Sequence, residues 1–168
     1  YPNPFTVTGG EAGEDWVYEE ESQTLRILTS RVTAISGGMG TSADEEPFSG
    51  RVVLADHIAL IELTLEGVEC RVTAGKAFDL GRENDVTLLL RSGAENLFES
   101  GEGWAGVSLG DGTSLLVDCP EARESSRNPA GTLTASGGAG GAGIGRYSGG
   151  GRGRTGRIRI RGGAVTAV

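Results

Sequence analysis

A unit of about 26 residues recurs along the chain, and this repeat constrains the fold more than any other feature of the sequence. Each unit opens with a short apolar segment, passes through a polar or glycine-rich turn, continues into a longer alternating segment and ends in a third short one. The units cover residues 51–75, 77–101, 105–138 and 142–168. A unit of three short strands can bury its apolar face only by stacking on its neighbours. The repeat therefore predicts a β-solenoid with one coil per unit.

The rest of the chain extends this organisation to a single predicted domain, residues 1–168. The segment RILTSRVTAISGGMGTSADEEP is expected to form a further coil, which gives about five coils in all. Residues 1–25 are predicted to cap the first coil with two short strands around the turn EESQ, and residues 26–168 to form the coils. An insertion at 119–131, which contains the polar segment RESSRNPA (residues 123–130), is predicted to be a surface loop.

Composition supports an all-β fold. Aromatic residues make up only 5% of the chain and 30 residues are glycine, while most apolar residues are Val, Ile, Leu or Ala. Such a mixture favours strands joined by many turns over a core built on large aromatic side chains. Cys70 and Cys119 are too few for a disulfide framework and lie in no C-x-x-C motif, so we expect them to be unpaired and packed in the β-structure.

Charge is distributed unevenly along the chain. All 23 acidic residues lie within residues 1–124, whereas residues 125–168 hold seven of the 15 basic residues and no acidic one. Arg157, Arg159 and Arg161 alternate with isoleucine, which predicts one exposed basic row on a strand. An acidic start, a basic end and a last coil without an evident cap would suit head-to-tail association of copies through these three arginines.

Four segments carry a resemblance to a known group of proteins. They are DWVYEEESQTLRILTS, IELTLEGVECRV, AFDLGRENDVTLLLRSGAENLFESG and GTLTASGGAGGAGIGRYSGGGRGRTGRIRIRGGAVTA. Together they resemble adhesin-like, carbohydrate-binding-domain-containing surface proteins of bacteria, mainly Gram-positive gut commensals. The resemblance implies a right-handed parallel β-helix on an extracellular, cell-surface protein. The insertion departs from the pattern of the group.

The glycine-rich stretch GGAGGAGIGRYSGGGRGRTGRIRIRGG contains two motifs with other functional meanings. Gly138, Gly140 and Gly143 form a G-x-G-x-x-G string, but a dinucleotide site needs a helix next, and so many glycines cannot form one. Its arginines resemble an RNA-binding RGG tract, yet they continue into a regular strand within an acidic chain. The sequence also has no apolar run long enough to span a membrane. We therefore expect neither nucleic acid nor a membrane as a partner.

Residues with catalytic or metal-binding chemistry are sparse. His57 is the only histidine, so no Ser-His-Asp arrangement can be assembled around it with confidence. Acidic pairs on neighbouring coils could serve a glycosidase, but acidic residues at outward positions usually form a solvated surface. The prediction is that the protein is not an enzyme. Calcium is a possible cofactor, with Glu83, Asn84, Asp85 and Asp111 as turn-borne oxygen ligands.

Sugar binding requires an exposed aromatic ring flanked by polar groups. Trp104, between glycines in SGEGWAGV, is the first candidate for stacking on a glycan, and Trp16 and Tyr18 are the second. The alternative is that both tryptophans cover the solenoid instead. The leading prediction is a non-catalytic adhesion or glycan-binding module that recognises a glycan or another ligand on a host or bacterial surface. The competing prediction is a structural unit that associates with itself into a filament or stalk.

Overall fold

The structure, a computed structural model, describes residues 1–146 and 156–168. These residues contain 17 strands and one short helix, α1 (Pro120–Glu124). In chain order the strands are β1 (Phe5–Thr8), β2 (Trp16–Glu19), β3 (Thr24–Ile27), β4 (Ala34–Gly37), β5 (Met39–Thr41), β6 (Pro47–Ser49), β7 (Arg51–Leu54), β8 (Ala59–Arg71), β9 (Phe78–Asp79), β10 (Asn84–Leu90), β11 (Glu95–Glu99), β12 (Val107–Ser108), β13 (Ser114–Asp118), β14 (Thr132–Ser136), β15 (Ile144–Gly145), β16 (Ile158–Ile160) and β17 (Ala164–Ala167).

Most strands lie in three parallel faces that surround one core. The first face contains β3, β7, β9, β12 and β15 in hydrogen-bonded order. The second contains β4, the first part of β8, β10, β13 and β16. The third contains the last part of β8, β11, β14 and β17. This arrangement confirms the predicted all-β parallel β-helix of about five coils.

The N-terminal strands cover the first coil. β1 pairs antiparallel with β4, and β2 pairs antiparallel with β3, so both close an edge of a parallel face. β2 and β3 are the two strands expected around the turn EESQ. β5 and β6 form a separate antiparallel pair that begins directly after β4. β1 and β2 thus cover the edges of the first coil, so these edges are not open for pairing with another chain.

The core is a stack of apolar ladders from successive coils. One ladder on the second face contains Ile61, Val86 and Leu115, which lie opposite one another in register and are buried. The rings of Phe78 and Phe98 pack with their centroids 4.7 Å apart. Both cysteines are free and buried, as expected, and burial raises the pKa of the Cys70 thiol.

Close stacking of coils accounts for the glycines of the GGAGGAG segment. A Cβ on Gly138 would collide with the backbone carbonyl of Gly101, and one on Gly141 with the carbonyl of Trp104. The segment is a loop between β14 and β15, where only glycine lets one corner pack on the previous one. The following tract at 147–155, where part of the RGG pattern falls, lies outside the described residues.

The insertion differs from the loop expected at 119–131, because it begins with α1. Pro120 opens this helix, a position where proline needs no backbone N–H. The Arg123 guanidinium forms two hydrogen bonds with the Asp118 carboxylate, at 3.1 and 2.6 Å, and so ties the helix to the end of β13. The rest of the insertion is without helix or strand.

Candidate ligand-binding groove

A groove runs along the outer side of the first face, between the turn that joins β2 to β3 and the corner that precedes β12. Its volume is about 710 Å³. We call it the Trp104 groove; the residues that define it are Tyr1, Gln23, Arg26, Arg51, Lys76 and Trp104. Two aromatic rings and several charged side chains thus share one surface, although they come from distant parts of the chain.

Trp104 is held firmly in this groove. Its backbone N–H donates to the Gly101 carbonyl at 3.1 Å, and its own carbonyl accepts from the Gly138 N–H at 3.1 Å. The Lys76 ammonium lies 4.8 Å from the centroid of the indole ring, a cation–π contact. The side chain is half-buried and lines the groove.

Two of the cations in the groove are paired with carboxylates. Lys76 lies 3.3 Å from Asp79, and the Arg26 guanidinium donates to Glu19 at 2.7 Å. Arg26 and Glu19 face each other from β3 and β2. These pairs fix the positions of the charged heads while they leave further N–H and oxygen sites for hydrogen bonds.

Arg51 differs from the other cations. It begins β7, directly beneath the turn at Gly75, where a Cβ would lie 2.6 Å from the Arg51 Nη1. Its Nε is buried and has no hydrogen-bond partner, and no carboxylate among the described residues forms an ion pair with it. A buried donor without an acceptor costs free energy, so the unpaired Arg51 Nε destabilises the folded protein.

A second groove, of about 640 Å³, adjoins the Trp104 groove. Tyr1, Gln23 and Arg51 line both, and Phe48 and Arg71 line the second only. The Tyr1 ring packs edge-on against Phe48 with centroids 5.0 Å apart. Arg51 therefore lies where the two grooves meet.

The other two predicted stacking residues lie elsewhere. Trp16 and Tyr18 face the fully buried Ile27 and Leu25 across the β2–β3 pair, and both pack against the core. Burial and nearby Glu20 raise the pKa of Tyr18. The structure places these two rings in the lid of the solenoid, which for Trp16 agrees with the alternative prediction, and only Trp104 of the three lines the groove.

The predicted calcium ligands occupy two stacked turns. Asn84 is buried, and its amide oxygen accepts from the N–H groups of Ile58 and Ala59 at 2.8 and 3.2 Å. Its amide nitrogen donates to the carbonyls of Ala55 and Leu80 at 2.8 and 2.9 Å. Asn84 is therefore a structural residue whose hydrogen-bonding capacity is used, and we remove it from the predicted ligand set.

Of the other three predicted ligands, only Asp111 is engaged within the described residues, in an ion pair with Arg146. Glu83 and Asp85 are exposed. Residues 1–146 and 156–168 contain no group of three or more His, Cys, Asp and Glu side chains arranged to hold a metal ion. Calcium binding by Glu83, Asp85 and Asp111 stays a prediction without geometric support.

The predicted association residues form the expected row on β16 and its flanks. Arg157, Arg159 and Arg161 are exposed, and none has an ion pair within the described part of the chain. The intervening Ile158 and Ile160 are 45% and 55% exposed, although a half-buried strand was expected. The reason is that β16 has a strand neighbour, β13, on one side only.

The fold and the site define a parallel β-solenoid with a polar groove between two aromatic side chains. No family model, curated protein or solved structure matches this chain. In the described residues no helix is long and apolar enough to cross a membrane.

Proposed function

We propose that the protein is a non-catalytic glycan-binding module of an extracellular, cell-surface bacterial protein, and that the Trp104 groove is its binding site. The observation that carries this proposal is that two aromatic side chains, Tyr1 and Trp104, share one groove with several hydrogen-bonding side chains. The resemblance to adhesin-like surface proteins supports the same function and the same location.

The groove has the chemistry that a sugar requires. A pyranose ring offers apolar C–H faces and a rim of hydroxyl groups, so its site combines aromatic surface with hydrogen-bonding groups. Trp104 and Tyr1 supply the aromatic surface. Arg26 on β3, Gln23 in the short turn between β2 and β3 and Lys76 in the short connection before β9 supply donors and acceptors.

The carboxylates of the groove support a binding role rather than hydrolysis. Asp79 is engaged through both oxygens: one lies 3.3 Å from the Lys76 ammonium and the other accepts from the Gly81 N–H at 2.9 Å. Glu21 is exposed on the opposite turn. A glycosidase needs one carboxyl group as a proton donor beside a second carboxylate, and the two Asp79 oxygens are already engaged by the Lys76 ammonium and the Gly81 N–H.

A glycan array tests the proposal, with Trp104→Ala as the main variant. We expect binding to weaken at least about tenfold, since buried aromatic anchors often contribute 2 kcal/mol or more. Leu60→Ala is the matched control, because Leu60 is 66% exposed on the second face and touches no part of the groove. Binding that survives both Trp104→Ala and Tyr1→Ala, or no binding to any glycan, would contradict the proposal.

A second proposal, end-to-end self-association, is favoured by the exposed edge of β16. Ile158, Ile160 and the three arginines around them would meet the acidic β2 end of another copy, where Glu19, Glu20 and Glu21 lie. Light scattering of the 168-residue chain should then show assembly at low salt that dissociates at high salt. A monomer at every salt and protein concentration, or assembly that is unchanged in an Arg157→Gln/Arg159→Gln variant, would rule this out.

A further inference from the structure

We propose that the ligand of the Trp104 groove is an acidic glycan and that Arg51 binds the carboxylate of a uronic acid residue. This inference rests on the proposed glycan-binding function and specifies its substrate class. It follows from the position of Arg51 relative to the other charged groups of the groove.

Arg51 is the cation of the groove whose charge the protein leaves uncompensated. Arg26 is paired with Glu19 and Lys76 with Asp79, at 2.7 and 3.3 Å. Arg51 has no such partner in the part of the chain that the structure describes, and its Nε is buried without a hydrogen-bond partner. Glu21 lines the same groove but is exposed and forms no ion pair with Arg51. A ligand carboxylate would give Arg51 the ion pair that Arg26 and Lys76 already have.

Solvent does not account for Arg51 as it does for exposed arginines. Arg82 and Arg127 have no carboxylate partner either, but both are exposed and fully able to bind water. Arg51 is half-buried, and its Nε has essentially no surface of its own. Gly75 leaves the space that the guanidinium occupies, since any Cβ there would strike Nη1. The Nε edge of the guanidinium is thus closed to a ligand as well as to water, and the part of Arg51 that lines the two grooves is what a ligand can meet.

A carboxylate is the acceptor that fits this fork best. Its two oxygens match two parallel N–H groups of a guanidinium, and such charge-assisted pairs are about twice as strong as neutral hydrogen bonds. A sugar ring stacked on Trp104 would carry its carboxylate into the same groove, because Trp104 and Arg51 line it together. The chain carries a net charge of −8, so a general attraction for anions is not what would bring an acidic sugar here.

The experiment uses the 168-residue chain and one glycan array in two forms, with the uronic acid carboxylates free and with them converted to methyl esters. The best binding pair is then titrated by calorimetry. We expect the free acid to bind roughly 10- to 100-fold more tightly than its ester, the range that a hydrogen bond to a charged group supports. Arg51→Gln should abolish this preference, and Arg51→Lys should restore only part of it because the fork is lost.

Arg127→Gln removes an unpaired arginine far along the chain in the insertion and is the control, with no change expected. Thermal unfolding of each variant shows that the fold is intact. If the ester binds as tightly as the acid, or if sulfated glycans bind more tightly than uronic acids, the inference is wrong while the glycan-binding function stands. If Arg51→Gln weakens acid and ester equally, Arg51 only shapes the groove and the inference fails. If neither form of the array is bound, the proposed function itself fails.

Discussion

Arg51, the residue proposed to bind the ligand, lies on a strand that is otherwise well packed. Its partner across the strands is the buried Thr24, whose hydroxyl donates to the Ser22 carbonyl, and Val52 beside it is fully buried. A residue chosen for stability alone would fill this position with an apolar side chain. The guanidinium instead keeps a buried Nε without an acceptor, which is unfavourable for folding.

Arg51→Met should therefore stabilise the protein while it weakens acidic-glycan binding. Methionine keeps the unbranched stem but removes the unpaired donor, so we expect the free energy of unfolding to rise by about 1 kcal/mol. Urea unfolding followed by circular dichroism measures this change. Arg127→Met, at an exposed position, serves as the control and should leave stability within about 0.5 kcal/mol. A marked loss of stability in Arg51→Met would mean that Arg51 has a structural role.

Asp15 is the residue that fastens the loop between β1 and β2 to the first coil. One of its oxygens accepts from the Thr29 hydroxyl at 2.6 Å and the other from the Glu11 N–H at 2.8 Å. These two hydrogen bonds, followed by the nearby Arg31 guanidinium, lower the pKa of Asp15 below its ordinary value of 3.8, against the opposing effect of burial.

A group whose pKa is lowered by folding contributes stability above its unfolded pKa, and this contribution is lost as the pH falls through the folded value. We therefore expect Asp15→Asn to be less stable than the original chain at pH 6, and the difference to shrink as the pH falls below about 4. Urea unfolding at several pH values measures it. Asp44→Asn, in the exposed β5–β6 turn, is the control. A stability difference that stays constant down to pH 2 would contradict this role.

At the scale of elements, the corner glycines couple the architecture to the groove. The loop of residues 137–143 packs against the corner of residues 101–106, and the Gly138 N–H donates to the backbone carbonyl of Trp104. The same contact therefore determines the spacing of the coils and the position of the indole ring.

Gly138→Ala should disturb both properties together. The added Cβ would meet the Gly101 carbonyl, and overpacking of this kind costs about 1–3 kcal/mol. Glycan binding should fall as well, since Trp104 loses its fixed position. Differential scanning calorimetry and array binding provide the two measurements. Ala139→Ser alters the next, exposed residue without this clash and should leave both unchanged. If Gly138→Ala is destabilised but binds glycan normally, the packing of this corner does not determine the position of Trp104, and the prediction is wrong.

At the scale of the whole molecule, periodicity was enough to predict the solenoid, its number of coils and the strands of its cap. The glycines near Trp104 made it the first stacking candidate and Trp16 the second, but periodicity alone could not show that the antiparallel pairing of β2 with β3 turns Trp16 towards the core. Arg51 and Tyr1 carried no local signal. Their role arises from contacts with Gly75 and with the groove around Trp104, which belong to different coils.

The short helix and the paired Asn84 were missed for similar reasons. PEARE is too short for a helical period to be visible, and its helix is fixed by the bond from Arg123 to Asp118. Asn84 looked like a calcium ligand because polar turn residues have the same composition whether they bind a metal or a backbone. Its four hydrogen bonds become apparent only when neighbouring coils are stacked.

The two tryptophans offer the most direct test of the central claim, that the Trp104 groove is where a glycan binds. Each indole N–H gives its own signal in a ¹H–¹⁵N NMR spectrum, and Trp104→Phe assigns them. On titration with the glycan that binds most tightly on the array, the Trp104 signal and the Arg51 Nε–H signal should shift together, while the Trp16 signal in the cap stays in place. A shift of Trp16 alone, or no shift of Trp104 and Arg51 at saturation, would show that the glycan binds elsewhere.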